Sequence, residues 1–164
     1  DHAIVLYRTE QSDELRLDLS IVIKSLVENI QPAASLKDIN IVSDLDTNSS
    51  VFILADRVLV EVALRNMLDN AIKYSQPDQT IHVTLGVVKN MAKISIRDQG
   101  RGLEGINQRG LKQRFERGSN VDDVIGSGLG LAIVWEICSA LSGTFTLKNN
   151  KGDGACAILY LPIC

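Results

Sequence analysis

The order of apolar and polar residues along the chain predicts three helices. Apolar residues recur at helical spacing between residues 18 and 36, which predicts a first amphipathic helix. A second helix is predicted from Asp56, which can cap its amino terminus, to about Tyr74, before a turn that contains a proline. Residues 129–141 are nearly all apolar and form a run long enough for a buried third helix.

Short runs rich in β-forming residues lie between and after these helices. Residues 39–42 and 51–54 flank a turn-forming stretch, and we expect them to pair with each other. Two further hairpins are expected, residues 81–85 with 92–96 around Lys89 and Asn90, and residues 144–147 with 155–161. The pattern predicts an α+β fold, a two-layer α/β sandwich in which a mixed, mostly antiparallel sheet of about five strands packs on three helices.

One domain accounts for most of the chain. With 164 residues, of which 45% are apolar, the chain is long enough to bury a sizeable core. Residues 1–14 mix apolar and polar side chains and are predicted to be a helix end followed by a connector, so the domain occupies residues 15–164. Residues 99–127 lose all periodicity, and loops of that length in compact domains are usually functional, which predicts a lid.

Charge and cysteine content argue against several classes of protein. The net charge of −3, from 17 basic and 20 acidic side chains, gives no global reason to expect a nucleic-acid partner. The three cysteines lack metal-ligand spacing, and two of them lie in apolar runs that predict buried, reduced thiols, as in a cytosolic protein. No run approaches the ~18 apolar residues of a membrane span, and no signal peptide opens the chain, so we expect this chain itself to contact no membrane.

The second predicted helix carries a polar stripe. Asn66, Asn70 and Lys73 follow one another at spacings of four and three, so they share a face that differs from the apolar one. An Asn oxygen is a neutral hard ligand that suits Mg²⁺, and a Lys one turn further along can meet a phosphate as a point charge. A merely solvated helix face is the alternative interpretation of the same residues.

Asp98 stands at the end of a predicted strand, where the alternation of Ile94 and Ile96 puts its carboxylate on the buried side. A buried carboxylate is costly unless donors satisfy it, and the exocyclic amine of adenine is one such donor. Gly100 and Gly102 would let the backbone approach a base without a Cβ in the way. A turn Asp followed by flexible glycines is the alternative.

A glycine-rich segment opens the third predicted helix and consists of Gly126, Ser127, Gly128, Leu129, Gly130 and Leu131. Unpaired N–H groups and the helix dipole favour anions at such a helix start, and glycines let phosphate oxygens reach them. Leu131 stands where the dinucleotide-binding fingerprint needs its last glycine, and the chain has no Gly-Lys-Ser/Thr motif. Neither a Rossmann protein nor a P-loop protein is therefore indicated.

In this order the motifs resemble the catalytic, ATP-binding (HATPase_c) domain of bacterial two-component sensor histidine kinases. That domain belongs to the Bergerat-fold GHKL superfamily, which also includes gyrase, MutL and a large heat-shock chaperone. The resemblance spans about residues 15–162. Residues 65–75 resemble the family's N box, residues 98–102 its G1 box and residues 126–131 its G2 box, and residues 114–117 resemble the end of its F box.

The resemblance implies that the domain binds ATP and Mg²⁺ and donates the γ-phosphoryl group of ATP to a histidine. It implies that Asn70 holds Mg²⁺ and that Asp98 fixes adenine, and it gives Asn66, Lys73 and Arg117 as the catalytic residues. The implied cofactor-binding residues are Asn66, Asn70, Lys73, Tyr74, Asp98, Gly100, Gly102, Leu103, Arg114, Gly126, Ser127, Gly128, Leu129, Gly130 and Leu131.

The implied partners are an upstream dimerisation and phosphoacceptor domain, which makes the full-length protein a homodimer, and a response regulator. Residues 1–14 would be the end of the dimerisation helices and their linker, in the cytoplasmic part of an inner-membrane sensor of a bacterium. The family's acceptor histidine lies in a His-Glu-Leu-Arg-Thr-Pro segment, which neither His2 nor His82 resembles. We therefore expect the acceptor to lie upstream and this chain not to phosphorylate itself.

Three positions depart from the family pattern. Lys112 stands where the F box usually begins with Phe, and Gln99 replaces a frequent Asn of the G1 box. At position 66 the ATP-hydrolysing relatives carry a Glu that resembles a general base, and Asn66 cannot take a proton at neutral pH, which favours phosphoryl transfer. A Bergerat-fold ATPase or anti-sigma serine kinase, and a binding module without catalysis, stay open as alternatives.

Overall fold

The fold comprises three helices and seven strands in the residues that a computed structural model describes, 15–45, 50–100, 102, 129–150 and 153–164. The helices are α1 (Leu19–Ser35), α2 (Arg57–Tyr74) and α3 (Leu129–Ala140). The strands are β1 (Leu15–Asp18), β2 (Asn40–Leu45), β3 (Phe52–Ala55), β4 (Thr80–Val88), β5 (Met91–Arg97), β6 (Thr144–Asn149) and β7 (Ala155–Pro162). The three helices predicted from apolar spacing are confirmed.

Side-chain caps fix the amino-terminal ends of α1 and α2. Asp56 accepts a hydrogen bond of 2.9 Å from the backbone N–H of Val58, and Asp18 caps α1 in the same way. Such bonds satisfy N–H groups that have no partner inside the helix. At the other end of α2 the backbone of Ser75 is extended, with ψ of 153°, so the helix ends at Tyr74 as expected.

Five strands form the main sheet in the order β2-β4-β5-β7-β6. β2 and β4 run parallel and the other neighbours run antiparallel, which confirms a mixed, mostly antiparallel sheet. Lys89 and Asn90 form the two-residue turn between β4 and β5 with φ values of 50° and 61°. These left-handed conformations match the twist of a hairpin. Both hairpins expected in the second half of the chain are confirmed.

The expected pairing of residues 39–42 with residues 51–54 is wrong. β2 pairs in parallel with β4, whereas β3 pairs with β1 in a separate two-stranded sheet. The pattern also predicts no strand at residues 15–18, where a short alternation of apolar and polar residues runs directly into α1. Which strands pair depends on packing against distant segments, and the local pattern does not encode those contacts.

The helices pack on one face of the main sheet, and the core lies between these two layers. Side chains from both layers are almost fully buried there, among them Ile81, Ile94, Leu159, Leu64 and Leu68. A smaller cluster joins α2 to α3 and consists of Leu59, Ala63 and Ile137. The two-layer α/β sandwich is therefore confirmed. No helix in the described part of the chain is long and apolar enough to span a bilayer.

The cysteines follow the sequence expectation. Cys138 and Cys156, which lie in apolar runs, are buried, and Cys164 is exposed. All three are free thiols.

Candidate functional site

A cleft opens between α2, α3 and the sheet, beside the carboxyl end of β5. Its walls are mostly apolar and are formed by Met67, Ala71, Ile96, Leu131, Leu147, Ala155 and Ala157. Asn70, Tyr74 and Asp98 add polar groups to this lining, and Gly102 adjoins them. Apolar walls with a few placed polar groups are typical of sites for small organic ligands.

Asp98 is the one buried charged side chain among the described residues, at 7% exposure. Its Oδ1 accepts hydrogen bonds from the backbone N–H groups of Gly100, at 3.0 Å, and Ala155, at 3.1 Å. Burial raises the pKa of this carboxyl above its ordinary value of 3.8, and the two hydrogen bonds oppose the shift. The predicted buried position is confirmed. No described residue donates to Oδ2, which leaves this oxygen for an N–H group of a ligand.

Asn150 holds the backbone around Asp98, although the sequence does not single it out. Its Nδ2 donates to the carbonyl oxygens of Asp98 at 2.8 Å, Ala155 at 3.3 Å and Asp153 at 3.4 Å. The N–H of Asp98 also donates to the carbonyl oxygen of Ala155 at 2.9 Å. The carboxylate is therefore fixed by a network that joins the end of β5 to the start of β7.

The polar stripe of α2 lies beside this cleft. Asn66 and Asn70 are half-buried and Lys73 is exposed, whereas the residues of the predicted apolar stripe are buried, which confirms two separate faces. Asn66 Nδ2 donates to the carbonyl oxygen of Val62 at 2.8 Å. Its Oδ1 faces α3, where a Cβ on Gly130 would lie 3.0 Å from it. The N box and the G2 box are thus in contact.

Two of the predicted glycines are required by contacts inside the protein. A Cβ at Gly100 would overlap the carbonyl oxygen of Tyr74, at the end of α2. Gly102 has φ of 73°, and a Cβ there would lie 2.9 Å from Oδ1 of Asn149. Glycine lets the segment after β5 lie directly against α2 and β6. Approach of the backbone to a base is the reason that the sequence predicts for these glycines. The contacts in the structure are instead with Tyr74 and Asn149 of the protein itself.

The structure brings Asn70, Tyr74, Asp98, Gly102 and Leu131 together around the cleft. Lys73 lies at its edge, with Nζ 5.6 Å from the ring centre of Tyr74, and Leu129 is the first residue of α3. The other predicted positions lie outside the described residues: Leu103, Lys112, Arg114, Arg117, Gly126, Ser127, Gly128, nearly all of the lid at 99–127, and the connector at 1–14.

The sheet side of the cleft is formed by residues that none of the predicted motifs contains. Ala155 and Ala157 are buried on the helix-facing side of β7, where the same strand next carries Leu159. Protein interiors are closely packed, and larger side chains at these two positions would fill the space against the helices. Two alanines leave that space open, and a flat ring can fill it. The sequence signal for this space is the run of small residues at the start of β7, Ala155, Cys156 and Ala157.

The donor set around the cleft fits Mg²⁺ bound together with a phosphate ligand. In the described ranges no group of three His, Cys, Asp or Glu side chains is placed to hold a metal. Asn70 offers an amide oxygen at the cleft wall. Mg²⁺ is usually bound through one or two protein oxygens, several waters and substrate phosphates, so a single amide oxygen suits it.

Comparison with known families shows which family the chain belongs to. The model of the histidine kinase-, DNA gyrase B-, and HSP90-like ATPases matches residues 55–164, which include every residue named in the cleft wall. The chain belongs to this family. The predicted resemblance is confirmed, and the cleft lies within the matched residues.

Two similar curated proteins are named as bacterial sensors. The heme sensor protein HssS of Staphylococcus saprophyticus is 34% identical over 138 residues, which are 84% of this chain and 29% of that protein. The sensor-like histidine kinase SenX3 of Mycobacterium tuberculosis is 30% identical over 148 residues, 89% of this chain and 36% of that protein. The chain thus spans 29% and 36% of the lengths of these two relatives.

Solved structures of histidine kinases share the fold. The mycobacterial sensor histidine kinase MprB has a TM-score of 0.74 at 26% identity, and the match covers 92% of this chain and 97% of that chain. The catalytic domain of the histidine kinase ThkA has a TM-score of 0.77 over the same shares of each chain, at 20% identity, which shows the fold alone. The chain is an ATP-binding domain of the sensor histidine kinase type.

Proposed function

We propose that this domain binds ATP with Mg²⁺ in the cleft and donates the γ-phosphoryl group to a histidine of a dimerisation domain. The observation that carries the proposal is Asp98, a buried carboxylate whose Oδ1 is held by two backbone N–H groups at the end of an apolar cleft. Asn70 adds an amide oxygen to the same cleft. Family membership and the sensor-kinase relatives support this function.

The apolar part of the cleft suits adenine. In the proposed pose the ring lies between Ile96 and Ala157 of the sheet and Met67 of α2, and Asp98 accepts a hydrogen bond from the exocyclic amine. Guanine carries a carbonyl oxygen at the corresponding ring position, so its base would place an acceptor against a carboxylate. Because an unpaired buried polar group is costly, the site should select strongly for adenine.

The polar stripe of α2 is proposed to serve the phosphate end of the nucleotide. Asn70 would hold Mg²⁺, and Asn66, Lys73 and Tyr74 would meet the phosphates or the sugar. Mg²⁺, when bound, neutralises charge on the phosphate oxygens. The amino terminus of α3 favours anions through its dipole, and the residues before it, with Leu103, Arg114 and Arg117, complete the proposed contacts from the lid.

Transfer to a protein side chain is proposed rather than ATP hydrolysis. An amide does not take a proton at neutral pH, so Asn66 cannot act as the general base for a water molecule. Its Nδ2 donates to Val62 and its Oδ1 faces Gly130 at the start of α3, beside the proposed phosphate end of the site. A Glu at position 66 would favour an ATP-driven conformational cycle or a serine kinase, and this chain has Asn66 there.

The proposed partners are the dimerisation domain that carries the acceptor histidine, which makes the full-length protein a homodimer, and a response regulator. Residues 1–14 would connect the catalytic domain to the dimerisation helices. The relatives are named sensors, and we propose that the domain works on the cytoplasmic side of the inner membrane.

Calorimetry with ATP, GTP and each nucleotide plus Mg²⁺ tests the binding site. Asp98→Asn should weaken ATP binding by about 10- to 100-fold, because a hydrogen bond to a charged group is lost. Asn70→Ala should remove the part of the affinity that depends on Mg²⁺. Asn29→Ala, an exposed asparagine of α1, is the control and should bind as the wild type does. If neither cleft substitution weakens ATP binding, the site is wrongly assigned.

Transfer is tested with ATP labelled on its γ-phosphate and a dimerisation domain supplied as a separate protein. We expect acid-labile label on the dimerisation domain, as for phosphohistidine, and none on this chain alone. Label on this chain in the absence of the second protein would contradict the proposed division between donor and acceptor domains.

A further inference from the structure

The solvent-facing side of the main sheet carries a row of basic side chains. His82 of β4 lies opposite Arg97 of β5, and both Arg97 and Lys148 of β6 lie opposite Cys156 of β7. Directly opposed residues of neighbouring strands point to the same face of a sheet, so these four residues form one row. With neighbouring strands about 4.8 Å apart, His82 and Lys148 stand about 14 Å apart.

This row borders a wide polar depression of about 870 Å³, which we call the basic depression and define by His82, Arg97, Lys148, Gln79 and Asp153. It is distinct from the nucleotide cleft, because the cleft lies on the helix-covered face of the sheet. The two share Asp98, at the edge between the faces.

In the part of the chain that the structure describes, the basic side chains of this row have no acidic partner within ion-pair distance. His82, Arg97 and Lys148 are exposed, and no described carboxylate forms an ion pair with any of them. Asp153, the exposed carboxylate of the depression, lies outside ion-pair distance of all three. Among the described residues, the charged ends of Arg97 and Lys148 are therefore not neutralised by direct ion pairs.

The alkyl stems of the row already have a structural role. Cys156 is 2% exposed although it lies on the face opposite the helices, between Arg97 and Lys148. Long basic side chains cover apolar groups with their stems while their charged ends stay in water. The charged ends are therefore available for an external ligand, and Gln keeps most of such a stem while removing the charge.

We propose that the basic depression is a docking surface for an acidic segment of a partner protein. An extended segment of about four or five residues spans the ~14 Å of the row, at about 3.3 Å per residue. Its Asp or Glu side chains would meet Arg97 and Lys148, and His82 would add a hydrogen-bond donor. Charge complementarity of this kind selects partners and speeds their association. This inference does not rest on the nucleotide cleft.

Fluorescence anisotropy with a labelled ten-residue peptide of alternating Glu and Ser tests this surface. We expect the peptide to bind, a matched peptide with Gln in place of Glu not to bind, and added salt to weaken the complex. Arg97→Gln with Lys148→Gln should weaken binding about tenfold, since two exposed charge contacts are lost. Lys24→Gln with Lys37→Gln removes the same charge from α1 and the turn after it, and should leave binding unchanged.

Three outcomes would overturn the proposal: no binding of the acidic peptide, equal weakening by the Lys24 and Lys37 control, or tighter binding of an oligonucleotide of equal charge. Amide chemical-shift changes on adding the peptide to the wild type should centre on residues 82, 97 and 148, and this does not depend on any variant folding. The Arg97→Gln, Lys148→Gln variant should bind ATP with wild-type affinity in calorimetry. A wrong assignment of the basic depression can therefore be distinguished from a wrong assignment of the nucleotide cleft.

Discussion

The side-chain amide of Asn150 donates a 2.8 Å hydrogen bond to the backbone carbonyl oxygen of Asp98. The same amide reaches the carbonyl oxygen of Ala155, and the N–H of Ala155 is one of the two donors to the Asp98 carboxylate. One side chain from the β6–β7 connection therefore hydrogen-bonds both to the backbone at Asp98, after the end of β5, and to the backbone at Ala155. Ala155 is the first residue of β7, and its N–H donates to the Asp98 carboxylate. The position of the carboxylate depends on Asn150.

Asn150→Asp tests this brace because it keeps the shape of the side chain and removes its donors. An ionised Asp can only accept hydrogen bonds, so it would face the carbonyl oxygens of Asp98 and Ala155 with no proton to donate. We expect the free energy of unfolding to fall by about 1–3 kcal/mol and ATP affinity to fall about tenfold. Urea unfolding and calorimetry measure the two effects. Asn29→Asp, on an exposed face of α1, is the control, and an equal effect there would contradict the role of Asn150.

Asp98→Asn is expected to weaken ATP binding without lowering the free energy of unfolding at neutral pH. The effect of the substitution on the free energy of unfolding should depend on pH. Burial raises the pKa of Asp98 above 3.8, so in the window above that value the folded protein holds a proton that the unfolded chain has released. The stability that Asp98 contributes is therefore fully present below its unfolded pKa and is lost as the pH rises through its folded pKa. At neutral pH the buried charge costs stability.

In the Asp98→Asn variant the new amide oxygen could still accept from Gly100 and Ala155, and the substitution removes the buried charge. We therefore expect this variant to be at least as stable as the wild type at pH 7 without nucleotide, although it binds ATP poorly. The difference in the free energy of unfolding, variant minus wild type, should increase from about pH 4 to pH 7. Urea unfolding at several pH values measures it, and a difference that does not change with pH would contradict the expectation.

Local sequence pattern predicts those elements whose signal is contained in one segment. The apolar spacing of α2 runs through five turns, and its cap at Asp56 and its end at Tyr74 are both local features. The pairing of β3 with β1 is different, because Leu15 meets Ala55 across the whole length of α1. The residues near either strand do not indicate this pairing. The local pattern therefore favoured a hairpin of residues 39–42 with 51–54, which the structure does not contain.

The same distinction applies to the candidate site. Asn70 and Asp98 could be predicted because the type of each side chain and the neighbouring residues of its motif both point to the same role. Asn150 and Ala155 could not, because their role consists of hydrogen bonds to Asp98, which lies more than 50 residues away in sequence. The sequence around such a residue does not show that it will form hydrogen bonds with a distant segment.

Gly100→Ala should destabilise the protein at the contact between the end of α2 and the segment after β5. The added Cβ would overlap the backbone carbonyl of Tyr74, and backbone atoms at a helix end cannot move aside without breaking other contacts. We expect a loss of about 1–3 kcal/mol in the free energy of unfolding, measured with urea. Gly86→Ala in β4 is the matched control, since nothing lies within 4 Å of its added Cβ. A similar loss for both variants would argue against the contact.

Gly130→Ala should act on chemistry more than on stability. The added Cβ would lie 3.0 Å from Oδ1 of Asn66, which must shift, and a flexible side chain can do so at little cost. Alanine in place of glycine favours a helix by about 1 kcal/mol, so the free energy of unfolding should be unchanged or higher. Because Asn66 is proposed to serve the phosphate end, we expect the rate of phosphoryl transfer to a separate dimerisation domain to fall about tenfold, with a smaller change in ATP affinity. Ser139→Ala, exposed at the other end of α3, is the control. An equal loss of affinity and rate would instead place the effect of Gly130 on nucleotide binding as a whole.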